Sequence, residues 1–212
     1  MHKYSKNFLL TAIFIMFYGG YAFAQEDYIL KIKDSSYHIA LDKPYTIQLN
    51  GKPVTFSLAM KDTLVFTSKI FSFSYPKGFK VSTTRLDAGI TQVSIITADG
   101  NGFFIQEYDN FNPTSINDLL IREFTKESIN YGYKEQRSTY SRTLASGENL
   151  TVDKSLLTYQ DEQNQYEVAS IGQKDKGIVV ATIQVSNDQS PQGQKIIDMM
   201  WKTLKLNWPD TE

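Results

Sequence analysis

Cysteine is absent from the 212 residues. That excludes disulfides, cysteine-ligated zinc, iron–sulfur clusters and thiol catalysis. Histidine is nearly absent, with only His2 and His38, which is too few for ordinary zinc geometry once cysteine is missing. An excess of charge is missing too: 22 Lys+Arg stand against 23 Asp+Glu, so the strongly basic balance of a nucleic-acid binder is not there. The chain has neither a Walker A run nor a G-x-G-x-x-G fingerprint, hence no glycine-rich phosphate cradle. It has no G-x-S-x-G nucleophile elbow either. Beyond residue 25 no stretch approaches the roughly 20 apolar residues that a membrane-crossing helix needs. Internal repeats and low-complexity segments are also lacking.

What the chain does have is aromatic mass, with 13 Phe, 13 Tyr and 2 Trp, and an N-terminus built for export. Lys3 and Lys6 form a basic start, and Phe8 to Phe17 is an apolar run broken only by Thr11. Ala22-Phe23-Ala24 is a small-x-small site before Gln25. This layout predicts a secretory signal peptide over 1–24, and hence an exported protein, periplasmic or secreted. An uncleaved N-terminal anchor is the competing reading; Gly19, Gly20 and the Ala-x-Ala site favour cleavage. Cleavage removes two lysines and no acid, so the net charge of −1 becomes more negative by two. It also leaves His38 as the one histidine. Without disulfides the exported chain must rely on core burial.

Residues 25–66 read as an extension of short strands and tight turns. Tyr28–Ile32 is followed by the turn cluster Asp34-Ser35-Ser36, then by an alternating run from Tyr37 to Leu41. Tyr45–Leu49 alternates again into Asn50-Gly51, the strongest short-range hairpin signal because both residues tolerate the positive φ of a type I′ turn. Its partner runs from Val54 to Leu58, with Val54, Phe56 and Leu58 expected inward, and Pro53 suits the start of an edge strand. Thr63–Phe66 is expected to be the last strand of this extension.

Residues 69–206 read as the main domain. Strands are predicted at Ile70–Tyr75, Phe79–Thr83 and Ile90–Thr97. The turn Asp99-Gly100-Asn101-Gly102 then leads into Phe103–Tyr108. Thr114 or Ser115 can cap a helix with Asp118 in its first turn. Ile116, Leu119, Leu120 and Phe124 recur at helical spacing as its buried stripe, and Gly132 suits the position just past its end. Strands follow at about 133–143, 149–159, 165–173 and 177–186, with turns at Ser146-Gly147, Asp161–Asn164 and Lys174–Gly177. Ser190-Pro191 opens a last helix. Its stripe is Ile197, Met200, Trp201 and Leu204, with an Asp198/Lys202 pair beside it. A tail, 207–212, closes the chain. Strands, helix, strands, helix predict an α+β fold in which an antiparallel sheet is flanked by helices.

One segment carries a family resemblance. Phe71-Ser72-Phe73-Ser74-Tyr75-Pro76-Lys77-Gly78-Phe79 resembles the opening strand and turn of PsbP-like domains, which often read F-x-F-x-Y-P-x-G-W; Phe79 stands where the tryptophan would be. The resemblance covers about 69–206 and leaves out the N-terminal hairpins. It implies a PsbP-like α/β/α sandwich. It also implies an accessory, partner-binding role, since the characterised members include a lumenal photosystem subunit and a Ran-binding import factor. The family has no shared active site, so the resemblance implies no catalytic or cofactor residues.

Candidate chemistry is sparse. His38 would be the base of any Ser-His-Asp triad, but alternation turns it away from Tyr37, Ile39 and Leu41, toward solvent. Asp99–Gly102 lacks the acidic positions of a calcium loop. Asp161-Glu162 reads as a solvated turn. Glu107, Asp109 and Glu123 leave a carboxylate pair for glycoside hydrolysis open. Tyr131, Tyr133, Tyr140, Tyr159 and Tyr166 could form an aromatic binding surface or fill half-buried sheet positions. Asn149-Leu150-Thr151 matches the N-glycosylation sequon, and Asp62-Thr63-Leu64 resembles a bacterial O-glycosylation tripeptide. The expectation is a non-enzymatic, cofactor-free exported binding or accessory protein that engages another envelope or secreted protein. The alternative is a small-ligand or glycan binder; a carboxylate hydrolase ranks below both. Neither nucleic acid nor a membrane span after cleavage is expected. Composition leaves the oligomeric state open.

Overall fold

The computed structural model describes residues 28–186 and 191–208. The predicted signal peptide and Ser190 lie outside the described residues. The chain divides at Met60/Lys61 into two units.

The first unit is two hairpins. β1 (Tyr28–Ile32) pairs antiparallel with β2 (Ser35–Ile39), and β3 (Pro44–Leu49) with β4 (Lys52–Ser57). Asn50 and Gly51 both take positive φ, 53° and 76°, so Leu49 faces Lys52 across the two-residue turn that the sequence predicts. The first turn is tighter than expected. Lys33 takes φ 51°, so Ser35 and Ser36 already belong to β2. Ile39, Ala40 and Ile47 are buried, and Tyr45 stacks on Phe56 at 6.1 Å. Of the three residues expected inward, only Phe56 is half-buried; Val54, and Leu58 just past the end of β4, are exposed. A two-stranded ribbon has too little apolar partner surface to cover a whole face.

The second unit begins one strand earlier than predicted. β5 (Thr63–Thr67) pairs with β6 (Phe71–Pro76), and β14 (Lys205–Leu206) pairs with the other edge of β6. Thr63–Phe66 therefore lies in the larger unit and not in the hairpin extension. Phe66 contacts the rings of Phe71 and Phe73 at 6.1 and 5.4 Å. Burial of these apolar rings together is what assigns the strand.

The remaining strands form one antiparallel seven-stranded sheet. They are β7 (Ser82–Asp87), β8 (Ile90–Ile96), β9 (Gly102–Tyr108), β10 (Lys134–Thr143), β11 (Asn149–Tyr159), β12 (Glu162–Gly172) and β13 (Gly177–Ser186). Their order is β10-β11-β12-β13-β9-β8-β7. The strand predicted at Phe79–Thr83 starts at Ser82 and not at Phe79, because Phe79 and Val81 pack on the core before pairing begins. The turn after β11 is confined to Gln160 and Asp161, with Gln160 at φ 51°; Glu162–Asn164 already pair in β12. Gly102 opens β9 at φ 149°. A Cβ there would lie 2.1 Å from the Ile95 carbonyl oxygen, so no other residue fits.

Two helices complete the unit. Asn112 caps a 3-10 turn, Pro113–Ser115, by accepting from the Thr114 N–H at 3.1 Å. α1 (Asn117–Tyr131) then starts with no side-chain cap, contrary to the expected role of Thr114 or Ser115. Pro113 starts the helical winding early and takes the capping side chain with it. Gly132 ends α1 at φ 119° as predicted. The buried stripe of α1 is rotated from the expected one: Ile121 and Thr125 are fully buried, while Leu119 is 58% exposed. Thr125 counts as polar by type, so periodicity alone misplaces the phase. α2 (Pro191–Thr203) begins at Pro191 and buries Ile196, Ile197, Met200 and Trp201. Asp198 accepts from Gln194 at 2.6 Å in place of the expected Lys202 pair.

Alternation along the sheet separates two cores. Val93, Phe103, Ile105, Val152, Ala169 and Val180 belong to the core that includes β6 and α2. Phe104, Val168, Val179 and Ala181 belong to the core beneath α1. The fold is a β-rich α+β fold of mostly antiparallel sheets with two helices. Among the described residues no helix is long and apolar enough to cross a membrane.

Candidate functional site

The sequence-nominated residues do not converge. His38 is exposed on β2, in the hairpin unit. Glu107 is buried on β9, where burial pushes its carboxyl above the ordinary value, partly opposed by a hydrogen bond from Ser68. Asp109 is exposed beyond the strand end, and Glu123 is exposed on α1, 4.0 Å from Lys126. Glu107 shares the strand parity of Phe103 and Ile105, whereas α1 packs over the opposite core, so Glu107 and Glu123 form no pair. Thr97 closes the Asp99–Gly102 turn by hydrogen-bonding Asn101 at 2.8 Å through its backbone and side chain. Among the described residues no group of three His, Asp or Glu could hold a metal ion. Asp161 is exposed, and Glu162 accepts a hydrogen bond from Tyr133. Thr63 and Asn149, from the two glycosylation tripeptides, are both exposed at strand starts.

The five tyrosines separate into three settings. Tyr131, Tyr133 and Tyr159 cluster where α1 ends, with ring centroids 5.3 to 6.2 Å apart. Tyr166 is buried and stacks on Phe124. Tyr140 hydrogen-bonds Glu167 and Arg142, two residues that line a groove between the sheet and α2.

The groove has a volume of about 910 Å³. Its floor is set by strand alternation. Ala169, Ile171, Ile178 and Val180 fill the core, and the same face then turns polar toward one end, at Gln163, Gln165, Glu167, Thr182 and Gln184. Glu167 is only 6% exposed. Its carboxylate accepts from Tyr140 Oη at 2.9 Å, Gln165 Nε2 at 3.2 Å and Thr182 Oγ1 at 3.4 Å, which engages both oxygens. Burial raises the Tyr140 phenol above its ordinary value, which keeps it a proton donor to Glu167. Gln165 also donates to Gln184 at 2.9 Å, Gln184 to Gln194, and Gln194 to Asp198. This run of amides ties the sheet to α2. At the start of the helix, Asn101 Oδ1 accepts from the Val185 N–H at 2.8 Å, and the absence of a side chain at Gly193 lets α2 approach Asn101.

Arg142 forms one wall. Its guanidinium lies 4.7 Å from the Trp201 ring centroid and 5.5 Å from that of Tyr140, and its Nη2 donates to Tyr140 Oη at 3.0 Å. It pairs with no carboxylate among the described residues. Two donors in this wall, Arg142 Nε and Trp201 Nε1, are buried and have no acceptor. Trp201 is 2% exposed. Both atoms are closed off from solvent, so a group in the groove does not reach them.

Sequence reasoning missed this site. Trp201 falls in the core stripe that the sequence predicts, while Arg142 and Glu167 belong to no motif. The available signal was the loss of apolar character at alternate positions of β12 and β13. It needs the register of the two strands to become a cluster.

No family model matches the chain, and no curated protein does. Among solved structures it is similar to cyanobacterial PsbP of Synechocystis sp. PCC 6803. That similarity has a TM-score of 0.47 and 10% identity, over 71% of this chain and 95% of that one. It is also similar to a protein of Bacteroides thetaiotaomicron VPI-5482 at TM-score 0.38 and 14% identity, over 69% of this chain and 49% of that one. The first of these bears the name of the family that the Phe71–Phe79 segment resembles.

Proposed function

We propose that the protein is a non-catalytic exported binding or accessory protein, and that the groove between α2 and the sheet is its recognition site. Its partner is another envelope or secreted protein. The observation that carries this reading is the groove itself, about 910 Å³, with the Arg142 guanidinium on one wall stacked against Tyr140 and Trp201 and paired with no carboxylate among the described residues, because a concave site with a few placed polar groups is where a partner group binds. The non-catalytic part rests on Glu167: both of its oxygens are engaged by neutral donors, as in a structural acceptor that orients side chains. Export rests on the sequence of residues 1–24. The layering we favour is a helix-flanked sandwich, with α1 on one face of the large sheet and α2 with the three-stranded sheet on the other.

A second reading, a free small ligand, is favoured by size. The groove falls within the roughly 300–1,000 Å³ of small-molecule sites. A photo-crosslinking side chain at Gln194 in the groove, and another at Thr84 on the exposed strand β7, tests both. The expected outcome is a discrete adduct from Gln194 and none from Thr84, its mass separating polypeptide from small molecule. Adducts from Thr84 alone would move recognition elsewhere. Turnover of a hydrolase substrate that disappears in Glu167→Gln would overturn the non-catalytic assignment.

A further inference from the structure

We propose that the tyrosine cluster at the end of α1 docks an arginine side chain of a partner polypeptide. The cluster lies on the α1 face of the large sheet, whereas Gln163 and Gln165 of the groove alternate to the other face. The proposal therefore goes beyond the groove and stands apart from it. Tyr131 is 71% exposed, more than any other large apolar side chain among the described residues. Its ring centroid lies 5.3 Å from that of Tyr159, at 63°, and 6.2 Å from that of Tyr133. Tyr133 and Tyr159 are half-buried, and the pairing of Lys134 with Thr158 sets them side by side, 5.3 Å apart. Tyr133 Oη donates to Glu162, which fixes the Tyr133 ring. Three rings thus collect at one exposed corner of the unit, and the face of each ring carries the negative part of its quadrupole.

The charges around the cluster favour a cation. Asp161 is exposed in the turn after Tyr159, and Glu162 opens β12 across from Tyr159. Glu127 lies one helical turn before Tyr131 on the same side of α1. The last turn of α1 holds no basic residue, so the partial negative charge of the helix C-terminus is not offset there. Two lysines are near in sequence, and neither faces the rings. Lys134 alternates to the opposite side of the sheet from Tyr133. Lys126, 4.0 Å from Glu123, precedes Tyr131 by five residues, which turns it to another side of the helix. The next charged groups on the cluster's own face, Glu135 and Arg137, pair with one another at 2.6 Å. Arginine fits this corner better than lysine, because the planar guanidinium stacks on a ring and is more weakly hydrated than an ammonium. Rings as open as Tyr131 cover only one side of a cation, which suits a side chain carried by a larger partner and not a free small ion.

The test is a proton NMR titration of the purified protein with acetyl-Gly-Arg-Gly amide, alongside the lysine, citrulline and norleucine versions of the same peptide. The expected result is a saturable upfield shift of the arginine δ-methylene resonance at millimolar concentration, because a group stacked over a ring face lies in its shielding zone. Citrulline keeps the planar shape without the charge, and norleucine keeps only the apolar stem; both should bind several-fold more weakly, and lysine more weakly than arginine. Tyr131→Ala should weaken the arginine peptide about two- to fivefold, as loss of an exposed cation–π contact implies. Tyr131→Phe keeps the ring and should keep the binding. Asp161→Asn should weaken it as well and flatten its dependence on salt. Tyr131 and Asp161 are both exposed, so these variants should fold as the unmodified protein does. A citrulline or norleucine peptide that binds as tightly as the arginine one overturns the cation assignment, and a lysine peptide that does so overturns the arginine assignment. An arginine shift unchanged in Tyr131→Ala moves the contact off the cluster, and no shift at millimolar peptide overturns the proposal outright. Each of these failures leaves the groove reading in place, since that reading is decided by the adducts at Gln194.

Discussion

The hairpin unit and the larger unit use similar alternating sequences to different ends. In the hairpins, burial reaches only Ile39, Ala40 and Ile47, while Ile29, Leu49, Val54 and Leu58 are exposed. In the larger unit, β6 alone contributes Phe71 and Phe73 at 0% and 1% exposure, and Phe73 meets Phe103 edge-on at 5.1 Å. The difference lies in the number of layers. A strand covered on one side by a helix and on the other by more strands can bury alternate residues completely, whereas an isolated two-stranded ribbon is marginal in water. Alternation therefore marks a strand but does not measure how much it contributes to stability.

The largest test of that contrast is where a truncation ends. Removing residues 25–60 should leave one cooperative urea transition for 61–212. Extending the deletion to residue 66 also removes β5, strips Phe66 from Phe71 and Phe73, and should abolish cooperative unfolding or render the protein insoluble. Equal behaviour of the two truncations, read by circular dichroism and urea titration, would show that β5 is dispensable and that the division at Met60/Lys61 is not a folding boundary.

Core truncation comes next. Phe73→Ala should cost about 3–5 kcal/mol. Ile47→Ala should cost less than the roughly 2–5 kcal/mol of a fully enclosed site, because its β4 neighbour Val54 is 38% exposed. Parallel urea titrations compare them, and a larger loss at Ile47 would reverse the ranking of the two units.

Glycine substitution sharpens the comparison at the backbone. Gly102→Ala drives a Cβ into the Ile95 carbonyl, whereas Gly51→Ala meets open space and carries only the left-handed φ of 76°. The second should cost about 1–2 kcal/mol, and thermal unfolding should show the first to be the more severe.

The smallest effect is a pH signature of the larger unit. Burial raises the Glu107 carboxyl above its ordinary 4.5. The folded state therefore holds that proton more tightly than the unfolded state, and the buried charge disfavours folding once pH exceeds the raised value. Below the unfolded-state value both states are protonated and the effect vanishes. Glu107→Gln should thus stabilise the protein at neutral pH, and the gain should fade as pH drops through the raised value toward 4.5. Urea midpoints at several pH values check it; a gain that persists or grows in acid would contradict the assignment.

Sequence by itself determined the features whose physics is local. Asn50-Gly51 specifies its hairpin because both residues accept positive φ, Gly132 ends α1 for the same reason, and Pro191 opens α2 above a stripe at i, i+3 and i+4. The interactions behind these features span at most a few residues, so composition and spacing contain them. Other outcomes required the tertiary structure. Whether Thr63–Thr67 follows the hairpins or joins β6 depends on which aromatic rings it can cover. The stripe of α1 that meets the sheet depends on the shape of the surface below, which accepts Thr125 and leaves Leu119 in solvent. The groove depends most on distant pairing. Asn101, Arg142, Glu167 and Trp201 lie far apart in the chain and meet because β9, β10, β12 and α2 are brought together by strand register and helix packing. Each is ordinary where it stands in the sequence. Only assembly stacks the Arg142 guanidinium against the Tyr140 and Trp201 rings and leaves Arg142 Nε and Trp201 Nε1 buried without an acceptor.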